Sequence, residues 1–529
     1  MEGGRPVLPR PAPPGANGAG PGGHRCAHAR RSRVSADIVG HVLATVVVLV
    51  VVIAVLAATP ARPRTRVPAA GPAKRTGRWP QPEAARWATR REMRPLKVDG
   101  PCAGRLSLGT VRGRLLAAER GHSVFVVGPT QSGKTSGLAV PALLEWDGPL
   151  VAASVKSDLL HHSVAWRRRV GTVWVYDPTG ETGYDSSRWS PLDTADTWPG
   201  ARRMAGSLSD VARASVGTFS DGDFWYAVAA KLIAPLLFAA ALSGRSMSDV
   251  VAWVDDHEID EVTDVLSAAG EWDALRSARA SWGRDERQRS AVYTTAETVL
   301  EAFADPAVSA HSAAGGADRI DPVGLLDGDH SLFVCAPAHD QRRLRPVLAT
   351  MVTQVIEAAY ARATRLGRPI DPPLLVLLDE AANVAPLAEL DVLASTAAGH
   401  GVQLVTVWQD LGQLAARYGP RAGSVVNNHR VKLYLSGIGD VGTLEHASAL
   451  IGDAITPARA TTVDVRGGAS TTTSPSSHRL VPVDALRRVP PGAAIVVSGH
   501  LPPVRVGLRP WYKDRWLRER AQMAATTAS

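Results

Sequence analysis

The sequence predicts an α/β protein, a mostly parallel β-sheet with helices on both faces and an all-helical insertion. Three observations carry this. From Pro101 onward, apolar β-branched runs at residues 124–127, 150–155, 172–176, 331–335, 374–378, 402–407 and 431–435 alternate with helical stretches. Short, continuously apolar runs suit strands covered on both sides, and the connections between them suit crossover helices. The octapeptide GPTQSGKT follows the first run directly and fits the strand–phosphate-loop–helix pattern G-x-x-x-x-G-K-[ST] in full. The section 201–317 then breaks the alternation with long helical patterns at 224–242, 250–265 and 290–304.

Taken in order, residues 1–37 are rich in Pro, Gly, Ala and Arg without apolar periodicity and read as a disordered basic tail. Residues 38–58 carry no formal charge; as a helix they span about 31 Å, which matches a bilayer core. They are predicted to form a single transmembrane helix. Cleavage as a signal peptide would send a nucleotide-binding module to a compartment without ATP, so the segment is read as an uncleaved anchor with the rest of the chain in the cytoplasm. Residues 59–100, with Pro60, Pro63, Pro68, Pro72, Pro80 and Pro82 among many arginines, read as a basic Pro-rich linker, either near anionic headgroups or as a solvated tether. The first part of the nucleotide-binding domain takes 101–200, the insertion 201–317, the second part 318–510 and a C-terminal tail 511–529. Within the insertion, 224–242 is apolar enough for a second span, but Lys231 and Pro235 fall in its middle and favour a buried bundle helix. A Ser/Thr/Gly run at 467–477 is expected to be a mobile loop.

With 529 residues, 45% hydrophobic, the chain can bury a sizeable core. Cys26, Cys102 and Cys335 are too few and too scattered for a disulfide framework or a zinc site, which suits a reducing compartment. The first 100 residues carry 17 Lys and Arg against 5 Asp and Glu, leaving the other 429 at a net −3 of the total +9. A nearly neutral globular part argues against a large nonspecific DNA-coating surface, though not against a small basic channel.

In a phosphate loop the glycines let backbone N–H groups turn inward on the phosphates. Gly128, Pro129, Thr130, Gln131, Ser132, Gly133, Lys134 and Thr135 are therefore the candidate ATP ligands, with the Lys134 ammonium on the outer phosphates and the Thr135 hydroxyl on Mg2+. The following helix start adds partial positive charge there. The run LLVLLDE at 374–380 supplies the carboxylates: Asp379 for the magnesium shell and Glu380 to orient or deprotonate the attacking water. The run at 402–407 leads into Trp408-Gln409-Asp410; Gln409 either senses the γ-phosphate or simply starts a helix.

The order of these motifs resembles the coupling ATPases of type IV secretion and conjugative DNA transfer, the TraG and TraD family, over residues 101–510. Further landmarks are Ser154-Val155-Lys156-Ser157-Asp158, Tyr176-Asp177-Pro178, Trp189-Ser190-Pro191-Leu192 and Phe224-Trp225. The segments from LLDEAANVAPLAEL onward and VVNNHRVKLYLSGIGD are similar to the family's relaxosome-docking region. The resemblance implies a RecA-like P-loop motor, a homo-hexameric ring on the bilayer, and ATP-driven delivery of single-stranded DNA or a relaxase–DNA complex to secretion channel proteins. Two departures stand out. The family commonly crosses the membrane twice, and it often carries an arginine before the strand leading to the glutamine, where this chain reads Ala397-Ala398-Gly399-His400. Arg120 and Arg430 are the candidates for a trans-acting arginine. The competing readings are a septal or chromosomal DNA pump and a low-turnover ATP-binding membrane receptor for secreted proteins.

Overall fold

In the computed structural model, residues 84–216, 222–313, 316, 318–337, 339–463 and 469–523 are described. The predicted tail, the transmembrane helix and residues 59–83 of the linker lie outside them. The strands are β1 (Lys97–Val98), β2 (Ser107–Val111), β3 (Arg114–Ala117), β4 (Val124–Val127), β5 (Leu150–Ser154), β6 (Val173–Tyr176) and β7 (Ser331–Cys335). They continue with β8 (Leu374–Leu378), β9 (Val402–Trp408), β10 (Val431–Leu435), β11 (Asp453–Val463), β12 (Ala469–Arg479), β13 (Ala493–Ser498) and β14 (Val504–Gly507). Twelve of these form one sheet in the order β1-β3-β2-β14-β13-β10-β4-β9-β8-β5-β7-β6.

From β10 to β6 every pairing is parallel, and these seven strands are the seven apolar runs of the sequence. They are mostly apolar because both faces are covered. In β4, Phe125 and Val127 enter one core with Val376 and Leu378 of β8, while Val124 and Val126 enter the other with Leu375 and Leu377. Side chains of a strand alternate between faces, so each run feeds two cores. The second core is closed by the helices Val140–Glu145 and Asp158–Val170. The first is closed by the helix Gln341–Leu366 and by the insertion.

Among the described residues between 201 and 313 the insertion consists of helices joined by turns, from Trp198–Val216 to Pro306–Ala310, with no strand. The predicted 224–242 helix spans Gly222–Ser243, with Val228, Leu232, Ile233, Leu236 and Leu237 buried among its neighbours. The pattern at 250–265 is two helices, Met247–Asp255 and Asp260–Ala268, broken where His257 takes a φ of 55°. A Ser246–Asp249 capping box starts the first of them and satisfies its leading N–H groups.

Three expectations are corrected. Residues 84–100 are folded against the sheet, not extended: Ala85 N–H bonds the Asp453 carbonyl at 2.7 Å, Ala88 N–H the Pro503 carbonyl at 3.0 Å, and Leu96 is buried. Residues 469–477 of the expected loop belong to β12, which pairs antiparallel with β11 from Asp453↔Arg479 to Val463↔Ala469 and is exposed along its length; its threonines and serines suit a solvated ladder. The C-terminal tail, whose helix pattern at 511–520 is met by the helix Arg515–Ala521, packs on the domain instead of standing apart, with Leu517 fully buried.

The antiparallel wing of β1, β2, β3, β13 and β14 escaped the sequence pattern. Its β2–β3 hairpin turns through Arg112 and Gly113 with φ of 51° and 77°, the paired left-handed residues of a tight two-residue hairpin. Gly109, at the register shift between β2 and β3, lies so close to β14 that a Cβ would sit 2.6 Å from the Gly507 carbonyl oxygen. Glycine is required there by the approach itself.

Candidate nucleotide site

The phosphate loop leaves β4 at the carboxyl edge of the parallel strands, where open α/β sheets hold their ligands. Gly128 N–H bonds the Trp408 carbonyl at 3.1 Å, tying the loop's start to the end of β9. A Cβ on Gly128 would meet Ser132 Oγ at 2.7 Å and Leu435 Cβ at 2.9 Å, so the loop folds tightly only with glycine there. Gln131 and Gly133 take left-handed φ of 64° and 89°, which turns successive peptides over. The loop then enters a π-helical turn, Thr135–Ala139, before the α-helix Val140–Glu145.

Lys134 is only 7% exposed and donates from Nζ to the carbonyls of Gly128 at 2.5 Å and Pro129 at 3.0 Å. Burial lowers its pKa, against the attraction of Asp379 and Glu380. Asp379, just beyond β8 and 6% exposed, accepts a 3.3 Å hydrogen bond from Thr135 Oγ1. Burial first, then the carboxylates of Asp158 and Glu380, push its pKa up to about 6 although Lys134 and Thr135 pull it down. The backbone fixes it: Asp379 N–H bonds the Ala153 carbonyl of β5 at 2.9 Å and Ala381 N–H the Val407 carbonyl of β9 at 3.1 Å.

Between them Glu380 takes a φ of 63°. This costs a side-chain-bearing residue on the order of 1 kcal/mol or more, and its carbonyl is held by Asn383 N–H at 2.8 Å and Val384 N–H at 3.3 Å. The Asn383 amide donates to Glu380 Oε2 at 3.4 Å, and Arg345 Nε donates to the Asn383 carbonyl at 2.9 Å. The strand β9 lies between β4 and β8, so Gln409 follows the strand flanked by both motifs. Its side chain does not line the cleft; its N–H bonds Gln413 Oε1 at 3.1 Å beside the Asp410 cap of the helix Leu411–Tyr418.

Together these residues border a cleft of about 350 Å³ that Thr130, Gln131, Gly133, Lys134, Thr135, Asp379 and Glu380 share with Lys156, Asp158, His162 and Trp511. Lys156 and Asp158 stood in the sequence as landmarks without a role. No signal pointed to His162 or Trp511, whose rings pack with centroids 4.3 Å apart. They meet because the C-terminal segment returns to the loop helix: Trp511 N–H bonds the Ser136 carbonyl at 3.0 Å, and Arg509 pairs with Glu145 at 2.5 Å and Asp514 at 2.7 Å. Among the described residues the cleft is lined by no arginine. Arg120 pairs with Asp371 ahead of β8 and Arg430 precedes β10, both at the opposite, amino edge of the parallel strands.

The donor set fits a magnesium nucleotide. It offers an ammonium, a buried Ser132 Oγ without a hydrogen-bond partner, and a hydroxyl and carboxylate side by side, which are oxygen ligands of the kind magnesium takes in few from protein.

The chain is similar to known proteins along most of this architecture. It matches conjugal transfer protein TraG of Escherichia coli at 26% identity over 398 residues, 69% of this chain and 62% of that protein. Protein VirD4 of Agrobacterium fabrum is 24% identical over 474 residues, 82% of this chain and 66% of that protein. The chain thus spans about three fifths of the first curated relatives' length. Several solved structures share the fold. The unbound bacterial conjugative coupling protein TrwBdeltaN70 has a TM-score of 0.61 at 18% identity, covering 80% of this chain and 92% of that one. The plasmid coupling protein TrwB in complex with ADP and Mg2+ has a TM-score of 0.60 at 20% identity, covering 81% and 93%. The family described as type IV secretory system conjugative DNA transfer matches residues 81–529, and the chain belongs to that family.

Proposed function

We propose that this chain is a membrane-anchored ATP hydrolase that couples DNA, as a single strand or a relaxase–DNA complex, to a type IV secretion channel. The observation that carries the reading is the junction of Lys134, Thr135, Asp379 and Glu380 in one cleft at the carboxyl edge of the sheet. When bound, the magnesium nucleotide supplies the phosphoanhydride and a divalent charge. Lys134 gives up its two carbonyl partners to face the outer phosphates, where a fixed ammonium stabilises charge that grows during transfer. Thr135 and Asp379 would hold the cation, which would supply positive charge beside a carboxylate that burial disfavours. Glu380 accepts the water proton, and Asn383 keeps its carboxylate aimed into the cleft. His162 and Trp511 form a wall for the nucleoside end. Gln409, at the end of the strand between the two motifs, is the candidate phosphate sensor, a role that requires its side chain to turn into the cleft it does not line. A homo-hexameric ring at the bilayer, with an arginine supplied by the neighbouring subunit, completes the reading.

The test is ATP turnover by the full chain in detergent, with and without single-stranded DNA. Turnover should rise with DNA, and the rise should fade as salt increases because phosphate contacts dominate such binding. Turnover indifferent to every DNA tested, in protein that binds ATP, would favour the low-turnover receptor reading and a protein cargo.

A further inference from the structure

A second cavity, of about 660 Å³, lies in the antiparallel wing, away from the nucleotide cleft. Its floor is apolar, made by Trp87, Met93, Leu116 and Val504. Around this floor stand Arg90, Lys97, Arg112, Arg114 and Arg505, and no carboxylate lines the cavity. Arg90, Lys97, Arg112 and Arg114 are exposed and form no ion pair among the described residues. Four like charges held close without a partner repel one another, and an anion seated among them removes that cost.

We propose that this groove binds the headgroup of an anionic phospholipid, with phosphate against the guanidinium and ammonium groups and the glycerol and upper acyl carbons on the apolar floor. The proposal rests on the membrane-anchored reading above. Two observations choose lipid over nucleic acid. Sites for single-stranded nucleic acid present open aromatic faces on which successive bases stack. Here the one aromatic ring is Trp87, and the Arg505 guanidinium already covers it at 4.1 Å from the ring centroid. The groove also begins among the first described residues, and only 25 residues separate Ala58, the end of the predicted span, from Ala84. Twenty-five residues of chain span at most about 90 Å when fully extended, so under the membrane-anchored reading the groove stays within reach of the bilayer surface, where basic residues meet anionic headgroups.

The test uses the full chain in an uncharged detergent, titrated with dihexanoyl phosphatidylglycerol and, separately, dihexanoyl phosphatidylcholine. The phosphatidylglycerol should bind, the phosphatidylcholine should bind at least about tenfold more weakly, and R90E/R112E/R114E should weaken the phosphatidylglycerol by at least about tenfold. ATP binding by the triple variant should be unchanged, since none of the three residues reaches the nucleotide cleft. Equal binding of both lipids, or wild-type affinity in the triple variant, overturns the proposal. So does loss of oligodeoxynucleotide binding in that variant with lipid binding intact, which would make the groove a nucleic-acid site. Carbonate extraction of the chain from membranes tests anchorage separately, so failure of the anchor and failure of the groove give different results.

Discussion

Lys134 donates to two backbone carbonyls of its own loop. Lys134→Ala should therefore leave the loop folded but reduce ATP turnover by at least about a hundredfold, since backbone amides cannot replace a unit charge beside the transferring phosphate; near-normal steady-state turnover would remove the site assignment. Glu380→Gln keeps size and the Asn383 contact but loses the base. It should slow hydrolysis by about two orders of magnitude with nucleotide affinity little changed, and lost affinity would instead place Glu380 in the cation's shell. A third residue governs acid stability. His429 is fully buried, with Nδ1 at 2.7 Å from the Val425 carbonyl and Nε2 at 3.0 Å from Thr406 Oγ1, whose hydroxyl also accepts from the Trp408 indole. Burial drops its pKa from 6.5 to about 4. A histidine depressed in the fold binds its proton more readily when unfolded, so stability falls as pH drops below 6.5 and the loss is complete below about 4, on the order of 3 kcal/mol. Asp379 acts with the opposite sign: its raised carboxyl relieves a burial cost as pH falls through about 6. Only the difference between variant and wild type isolates the histidine. In thermal melts between pH 4 and 7, His429→Gln should lose its midpoint less steeply than wild type, and parallel curves would refute the assignment.

At the scale of elements, the C-terminal return and the insertion both act on the cleft through packing. Arg509 is 14% exposed and its partner Glu145, in the loop helix, 6%. Removing one member of so buried a pair strands the other charge, so Arg509→Ala should cost about 3 kcal/mol in denaturant unfolding. Nucleotide affinity should fall with it, because the same segment holds the Ser136 carbonyl; a surface-like loss of a few tenths would show that the pair is relaxed in solution. The insertion is less separable than its sequence suggests. The helices Trp198–Val216 and Gly222–Ser243 share one core with the sheet and with Gln341–Leu366. Replacing 201–317 by a short linker would strip that cover and leave a large apolar face exposed. The expected product is aggregated protein, and a soluble monomer that binds ATP would contradict the shared core.

For the whole molecule, the cleft among its described residues has lysines at 134 and 156 but no arginine. If the missing guanidinium comes from a neighbouring subunit of a ring, turnover per subunit should rise with protein concentration. At concentrations where wild type is mostly dissociated, added Lys134→Ala subunits should then raise turnover per wild-type subunit, because each defective subunit still contributes to its neighbour's site. Specific activity flat across a hundredfold dilution that spans monomer and oligomer, with no rise on mixing, would require a site complete within one chain.

What the sequence by itself determined is local in the chain. The seven parallel strands, the phosphate loop and the Asp379–Glu380 strand end were legible because a doubly buried strand needs a continuous apolar run, and a phosphate cradle needs its glycines, lysine and hydroxyl at fixed spacing. The antiparallel wing was not legible, since its strands are short and β2 turns into β3 through Arg112 rather than a pair of glycines. Nor were His162, Trp511 and Asn383 as parts of the site. Tertiary structure alone decided that residues more than 300 positions apart share the nucleotide wall, that five cations ring the groove of the wing, and that the insertion is continuous with the core. The physical reason is that such neighbours are chosen by where helices and strands pack, and packing leaves no periodicity in the segments it joins.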